Sequence, residues 1–343
     1  MEPGGIPFCL SGVLNYNQST NMKNLISYIR ANHNINFAWL LFFILLGGLY
    51  GTVAAGQILG FLKLFYPIPV FILSVILSVA AIGLLLKYAK PFLESVLEWR
   101  SRPLTWLDYA CYFAGILLLV ALILIPIIRW PYSAVSTNLY WDAGLYHFPK
   151  AIEMVKSGSA WDLTIAYGDY PFGYESLIAL VFAFTHSTLL FGTVHALITA
   201  FFILSLWLLA CRITRLAPAL LFLIISIACC SLTLLHNLVG NPWDILNIQI
   251  DIIGNNDLFL GGAMLALLLF IPIGSRDNHL RYSICGMALT SMLVASIKPN
   301  GAILLVFAWG IFLIYQNRDH DNIVECEMYI RRVIINIDCI VRE

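Results

Sequence analysis

The sequence predicts an all-α fold, a polytopic transmembrane helical bundle of about eight spans, and three observations carry that expectation. Of 343 residues, 60% are hydrophobic and only 11% charged, with a mean hydropathy of +0.85. A water-facing surface needs charged residues at roughly a quarter of positions, so 19 basic and 19 acidic side chains cannot cover so much apolar material in water. Apolar stretches long enough to cross hydrocarbon recur along the chain, each needing about 20 residues. Lys and Arg are also unevenly shared between the connecting loops. Because the formal charge is zero, no bulk field draws the chain to nucleic acid.

The opening segment, 1–36, is polar and asparagine-rich. It lacks the basic-then-apolar order of a cleavable signal peptide and is expected to be a cytosolic tail. Stretches 37–56, 68–86, 106–128, 188–211 and 216–235 meet the spanning length. Three shorter ones, near 258–273, 283–297 and 302–315, bring the expected count to eight. Direction follows from the cations, since short cytoplasmic loops retain Lys and Arg. Lys23 and Arg30 precede the first span. Lys87, Lys90, Arg100 and Arg102 follow the second, and Arg212, Arg215, Arg276, Arg281 and Arg318 mark further inner turns. Lys63 is the one mild violation. The alternate loops then face outward, among them 129–187 and 236–257, the second free of Lys and Arg. Two outer segments read as helices that do not cross. One is 143–157, broken by Gly158 and Ser159, with Pro149 suited to a first turn or a kink; the other is 171–186, a half-embedded helix. The tail 316–343 is polar and has no assigned role.

Eight cysteines, at 9, 111, 211, 229, 230, 285, 326 and 339, show no CxxC pair and no zinc-ligand spacing. Residues that hydrophobicity does not explain gather in the expected outer loops. They are Tyr140-Trp141-Asp142-Ala143-Gly144-Leu145-Tyr146-His147, Asn255-Asn256-Asp257 and Lys298-Pro299-Asn300-Gly301. An ionisable group at a helix mouth is costly to desolvate and is a functional candidate for that reason. Each has a plainer reading beside it: Asp142 and Asp257 as helix N-caps, Lys298 as an interface anchor, His147 as an ordinary interfacial histidine. Glu153 and Lys156 fit a solvated ion pair.

The order Asp142-Ala-Gly-Leu-Tyr146-His147, then a short helix ending at Gly158, then Asp169-Tyr170-Pro171-Phe172-Gly173-Tyr174-Glu175, resembles the first outer loop of C-type (GT-C) membrane glycosyltransferases. It is similar to the protein mannosyltransferase and aminoarabinose transferase group. Ala143 stands where that family usually has Glu, and Phe172 where it has a second Pro. Asn256-Asp257-Leu258-Phe259 resembles the family's second outer acidic position, and Ser296-Ile297-Lys298-Pro299-Asn300-Gly301 its Thr-Lys-Gly-Pro-like turn. The resemblance covers about 106–315, so the pair of spans in 37–105 lies ahead of it as an addition.

The resemblance implies an inverting transfer of sugar from a polyprenyl-phosphate donor, the lipid partner, to a glycan, lipid or protein acceptor at the extracytoplasmic face of a plasma or inner membrane. It implies catalytic roles for Asp142 as general base and for Asp257. Lys298 and His147 would bind the donor phosphate, and Tyr146, Asp169, Tyr170, Tyr174, Glu175 and Asn256 the substrates. Asp142 and Asp257 would be the ligands of any divalent Mg or Mn cofactor, carboxylate oxygens being suited to hard cations. Tyr170, Tyr174 and Trp141 would offer stacking faces to a sugar, with an aromatic interface belt as the equal alternative. A transporter is the rival from another class. It would place charges at the bilayer midplane, whereas these spans are nearly charge-free. A catalytically silent or truncated relative is the third reading.

Overall fold

A computed structural model describes residues 35–98, 104–135, 143–161, 171–214, 216–239, 256–271 and 280–316. Among these residues the regular structure is helical throughout. In chain order the helices are α1 Ile35–Phe61, α2 Pro67–Glu98 and α3 Trp106–Val135. A π-helical turn Ala143–His147 leads into α4 Phe148–Ser157 and then α5 Gly173–Thr185. After them come α6 Phe191–Ile213, α7 Pro218–Val239, α8 Asp257–Phe270, α9 Leu280–Ile297 and α10 Pro299–Gln316. The chain is a membrane protein by length and composition. Apolar stretches Phe37–Phe61, Pro67–Tyr88, Trp106–Leu124 and Thr188–Ile213 are each long enough to cross, while Gly173–Thr185, Pro218–Thr233, Asp257–Phe270, Arg281–Ile297 and Pro299–Ile314 are shorter.

Local chemistry explains where the helices start. Pro67, Pro218 and Pro299 each occupy a first helical position, where the missing N–H costs nothing and φ is already set. At α3 the start is a reciprocal cap. The Asp108 carboxylate accepts from the Thr105 amide at 2.9 Å and its hydroxyl at 2.8 Å, and Thr105 Oγ1 accepts from the Asp108 amide at 3.3 Å. Gly158 ends α4 with φ of +69°, a left-handed value that a residue with a Cβ adopts only with strain.

Burial sorts the helices. Within their apolar stretches 56% of α1 and 67% of α6 is buried inside the protein, against 22% of α2 and 17% of α3, so the first two form the core and the others are largely exposed. Phe42 of α1 stacks on Phe201 of α6 at 6.0 Å and meets Phe270 of α8 at 6.1 Å, and Tyr282 of α9 closes on Phe270 at 5.2 Å. A second aromatic knot joins α3, α6 and α7 through Tyr112, Trp207 and Phe222. On α2 the residues Ile68, Phe71, Ile72, Val75, Ile76 and Val79 are exposed at helical spacing, an apolar stripe suited to acyl chains.

The N-terminal hairpin is built into this bundle. On one face of α1, Gly47 and Gly51 let α2 approach at Ile82 and Ser78. About 180° round the axis, given 100° per residue, Gly56 and Gly60 receive Ser176 of α5 and Ala160. Two backbone hydrogen bonds complete the join, Phe65 N to Gly158 O at 2.9 Å and Ala160 N to Gly60 O at 3.0 Å. Lys63 therefore lies at the same end of the bundle as Gly158. At the opposite end Arg212, in the last turn of α6, donates to the carbonyls of Leu269 and Ile271, the latter at 2.8 Å. Those carbonyls close α8 and have no helical donor.

Candidate functional site

One end of the bundle collects the described candidates, and the route can be followed contact by contact. α5 begins there. A Cβ at Gly173 would sit 2.6 Å from Ser296 Oγ and 2.7 Å from its carbonyl oxygen, so the absence of a side chain lets the start of α5 lie on the end of α9. Phe184, near the other end of α5, meets Phe71 in the second turn of α2 at 5.6 Å. Both ends of α5 thus touch elements at the same end of the bundle. Next to Ser296, the carbonyl of Ile297 accepts from Asn256 Nδ2 at 3.4 Å, which brings the start of α8 alongside. Lys298 follows, in a one-residue link between α9 and α10. Its carbonyl accepts from the Gly301 amide at 2.9 Å, with Pro299 at the turn position that prefers proline.

Here the Lys298 ammonium bonds Asp257 Oδ1. Asp257 is the first residue of α8, so its negative charge also meets the positive end of the helix dipole. Lys298 and Asp257 are 25% and 41% exposed, so the pair is open to solvent and to ligands. Exposed pairs contribute only about 0.2–1 kcal/mol, which makes this one a matter of placement more than of stability. Asp257 and Lys298 are thus direct partners across 41 residues of sequence.

His147 and Glu175 form a second pair, of opposite character. Nδ1 and Oε1 are 2.8 Å apart, and both side chains are 1% exposed. His147 Nε2 and Glu175 Oε2 are buried without a hydrogen-bond partner among the described residues. Each such atom costs about 1–3 kcal/mol relative to a satisfied one. The His147 ring is held between the Tyr146 ring, 4.0 Å away, and the edge of Tyr174 at 5.2 Å. Tyr174 itself is 1% exposed, and Tyr146 is also buried. The two pairs are joined through the Gly173–Ser296 contact. Glu175 lies two residues beyond Gly173, and Lys298 two beyond Ser296.

Sequence reading did not single out Lys150. It is fully buried, and its ammonium stands over the Phe172 ring at 5.8 Å, within reach of a cation–π interaction. The available signal was its place on α4 beside Phe148, Ala151 and Met154, which are buried too and mark the packed face of that helix. Lys156 is exposed and Glu153 half-buried, and no ion pair joins them among the described residues.

Asp142, Asp169 and Tyr170 lie outside the described residues, as do Trp141 and most of the 236–257 loop. Asp257 is therefore the described half of the expected carboxylate pair, and Lys298 already occupies it. Among the described residues no group of three or more His, Cys, Asp or Glu side chains gathers in a way that could hold a metal ion. Comparison with the known protein families, with curated proteins and with solved structures finds nothing that matches this chain.

Proposed function

We propose that the protein is a membrane glycosyltransferase that moves a sugar from a polyprenyl-phosphate donor to an acceptor hydroxyl at the extracytoplasmic face, with inversion. The observation that carries this reading is the convergence of an accessible Lys298–Asp257 pair and a buried His147–Glu175 pair on one end of an apolar bundle. A lipid-linked phosphate needs such a combination, a cation at the water boundary and apolar helix faces below it for the chain. In this reading α1, α2, α3 and α6 to α10 cross, while α4 and α5 lie at the outer surface. α8 has 14 residues and reaches only about 21 Å, less than a bilayer core. Arg212 meets that shortfall by supplying donors to carbonyls that hydrocarbon would leave unpaired. Lys63 then faces outward and Arg212 inward.

Chemically, the acceptor oxygen attacks the anomeric carbon as the bond to the phosphate oxygen breaks. The leaving electron pair stays on the phosphate, and the hydroxyl proton passes to a base, for which the sequence nominates Asp142. Lys298 meets the phosphate charge by exchanging the Asp257 carboxylate for a phosphate oxygen. Asp257, released, holds the acceptor.

The test is transfer by purified protein from labelled polyprenyl-phosphate sugars. Wild type is expected to transfer, with Lys298→Ala and Asp142→Asn each lowering kcat/KM by about 100-fold or more. No transfer from any donor, together with solute or proton flux in liposomes, would replace this reading with transport.

A further inference from the structure

The His147–Glu175 pair sits in the candidate site with both side chains 1% exposed. An apolar pair of similar volume is often as stable as a buried ion pair, or more so, and here two polar atoms are left over as well. Stability does not account for the pair.

An ionised carboxylate only accepts hydrogen bonds. With Glu175 ionised, the 2.8 Å contact places a proton on His147 Nδ1, and an imidazole that is neutral with its proton there carries its lone pair on Nε2. Nε2 is the atom without a partner. Tyr146 and Tyr174 flank the ring and oppose its turning. A carboxylate that fixes the tautomer and angle of a histidine, leaving its far nitrogen as a lone pair, is the arrangement of an oriented general base. It does not suit an anion contact, which needs a donor at that atom.

Building on the transferase reading, we propose that His147 Nε2 accepts the proton of the attacking hydroxyl, and that Glu175 is the positioning residue that aims it. The balance is simple. The acceptor O–H bond gives its proton to Nε2, the oxygen forms its bond to the anomeric carbon, and the carbon–oxygen bond to the donor phosphate breaks with its electrons on phosphate. His147 leaves the step as an imidazolium held by Glu175. His147 thus takes the place of Asp142 as the base. The ligand class recognised at Nε2 is a hydroxyl-bearing acceptor, not a phosphate.

Steady-state transfer by His147→Gln and Glu175→Gln tests the assignment. His147→Gln is expected to lower kcat by about 10²- to 10⁴-fold at unchanged donor KM. Glu175→Gln, which keeps the volume and removes the charge, is expected to lower kcat about 10-fold or more, again without moving donor KM. A raised donor KM with kcat intact in His147→Gln would make His147 a phosphate contact and overturn the proposal, and so would unchanged kinetics. A second measurement is independent of transfer. Nitrogen-15 NMR of histidine-labelled wild type in micelles, assigned against His147→Gln, should show the Nδ1–H tautomer. The Nε2–H tautomer would refute the dyad even in an active enzyme. Wild type that transfers from no donor would refute the transferase reading and the base role together, whatever the tautomer.

Discussion

Gly51→Ala puts the N-terminal hairpin to a quantitative test. A methyl group built on Gly51 falls 2.5 Å from the Ser78 amide nitrogen and 2.6 Å from the Ser74 carbonyl oxygen, and it also strikes the Ser78 hydroxyl. Comfortable contact needs about 3.5 Å, so α1 and α2 must part by about 1 Å at this level. The obstacles are main-chain atoms of a helix and cannot rotate aside. Overpacking of a tight interior costs about 1–3 kcal/mol, and a backbone obstacle places this case near 3 kcal/mol. Gly48, three residues earlier, is the matched control. A Cβ there meets nothing within 4 Å, so Gly48→Ala carries the same change in composition and helix propensity without the clash. Unfolding of both variants in lipid bicelles should separate them by about 3 kcal/mol, with Gly51→Ala the weaker. Equal stability would mean that α1 and α2 do not pack through this glycine face, and the description of the hairpin would fall.

Two further outcomes follow from the geometry. Arg212→Ala removes both donors that close α8, and hydrogen bonds from a charged group are worth about 1.5–3 kcal/mol, so a loss of that size is expected in the same unfolding assay. Single cysteines at the exposed positions Lys63, Ser157 and Asn300, in a cysteine-free background, should all react with an impermeant thiol reagent from one side of sealed vesicles, and a cysteine at exposed Ile213 only from the other. Labelling of Lys63 and Asn300 positions from opposite sides would break the single-ended site.

Much of the architecture could be read from the chain because a bilayer imposes a length on apolar stretches: 37–56, 68–86 and 106–128 lie inside helices, and 188–211 covers a 3-10 turn, Thr188–Leu190, and most of α6. Edges were harder. α2 runs on through Lys87, Lys90 and Glu94, since hydropathy falls there while helix propensity does not. Pro299 and Gly158 mark boundaries for stereochemical reasons that need no partner, and both readings agree with the structure. Pairings are another matter. Nothing in the local pattern joins His147 to Glu175, 28 residues on, or Asp257 to Lys298, because each contact is made by helices meeting in space. Lys150 looked like any lysine of a polar helix, and only the packing of α4 shows that it is enclosed.

The two amide–carbonyl bonds between the α1–α2 turn and residues 158–160 reach further than their number suggests. A fragment beginning at α3 would leave Gly158 O and Ala160 N without their mates, and it would strip Phe42 from between Phe201 and Phe270. The leading hairpin is therefore masonry under the segment that carries His147 and Gly158: anything that tilts α1 tilts the floor on which His147 and Glu175 stand.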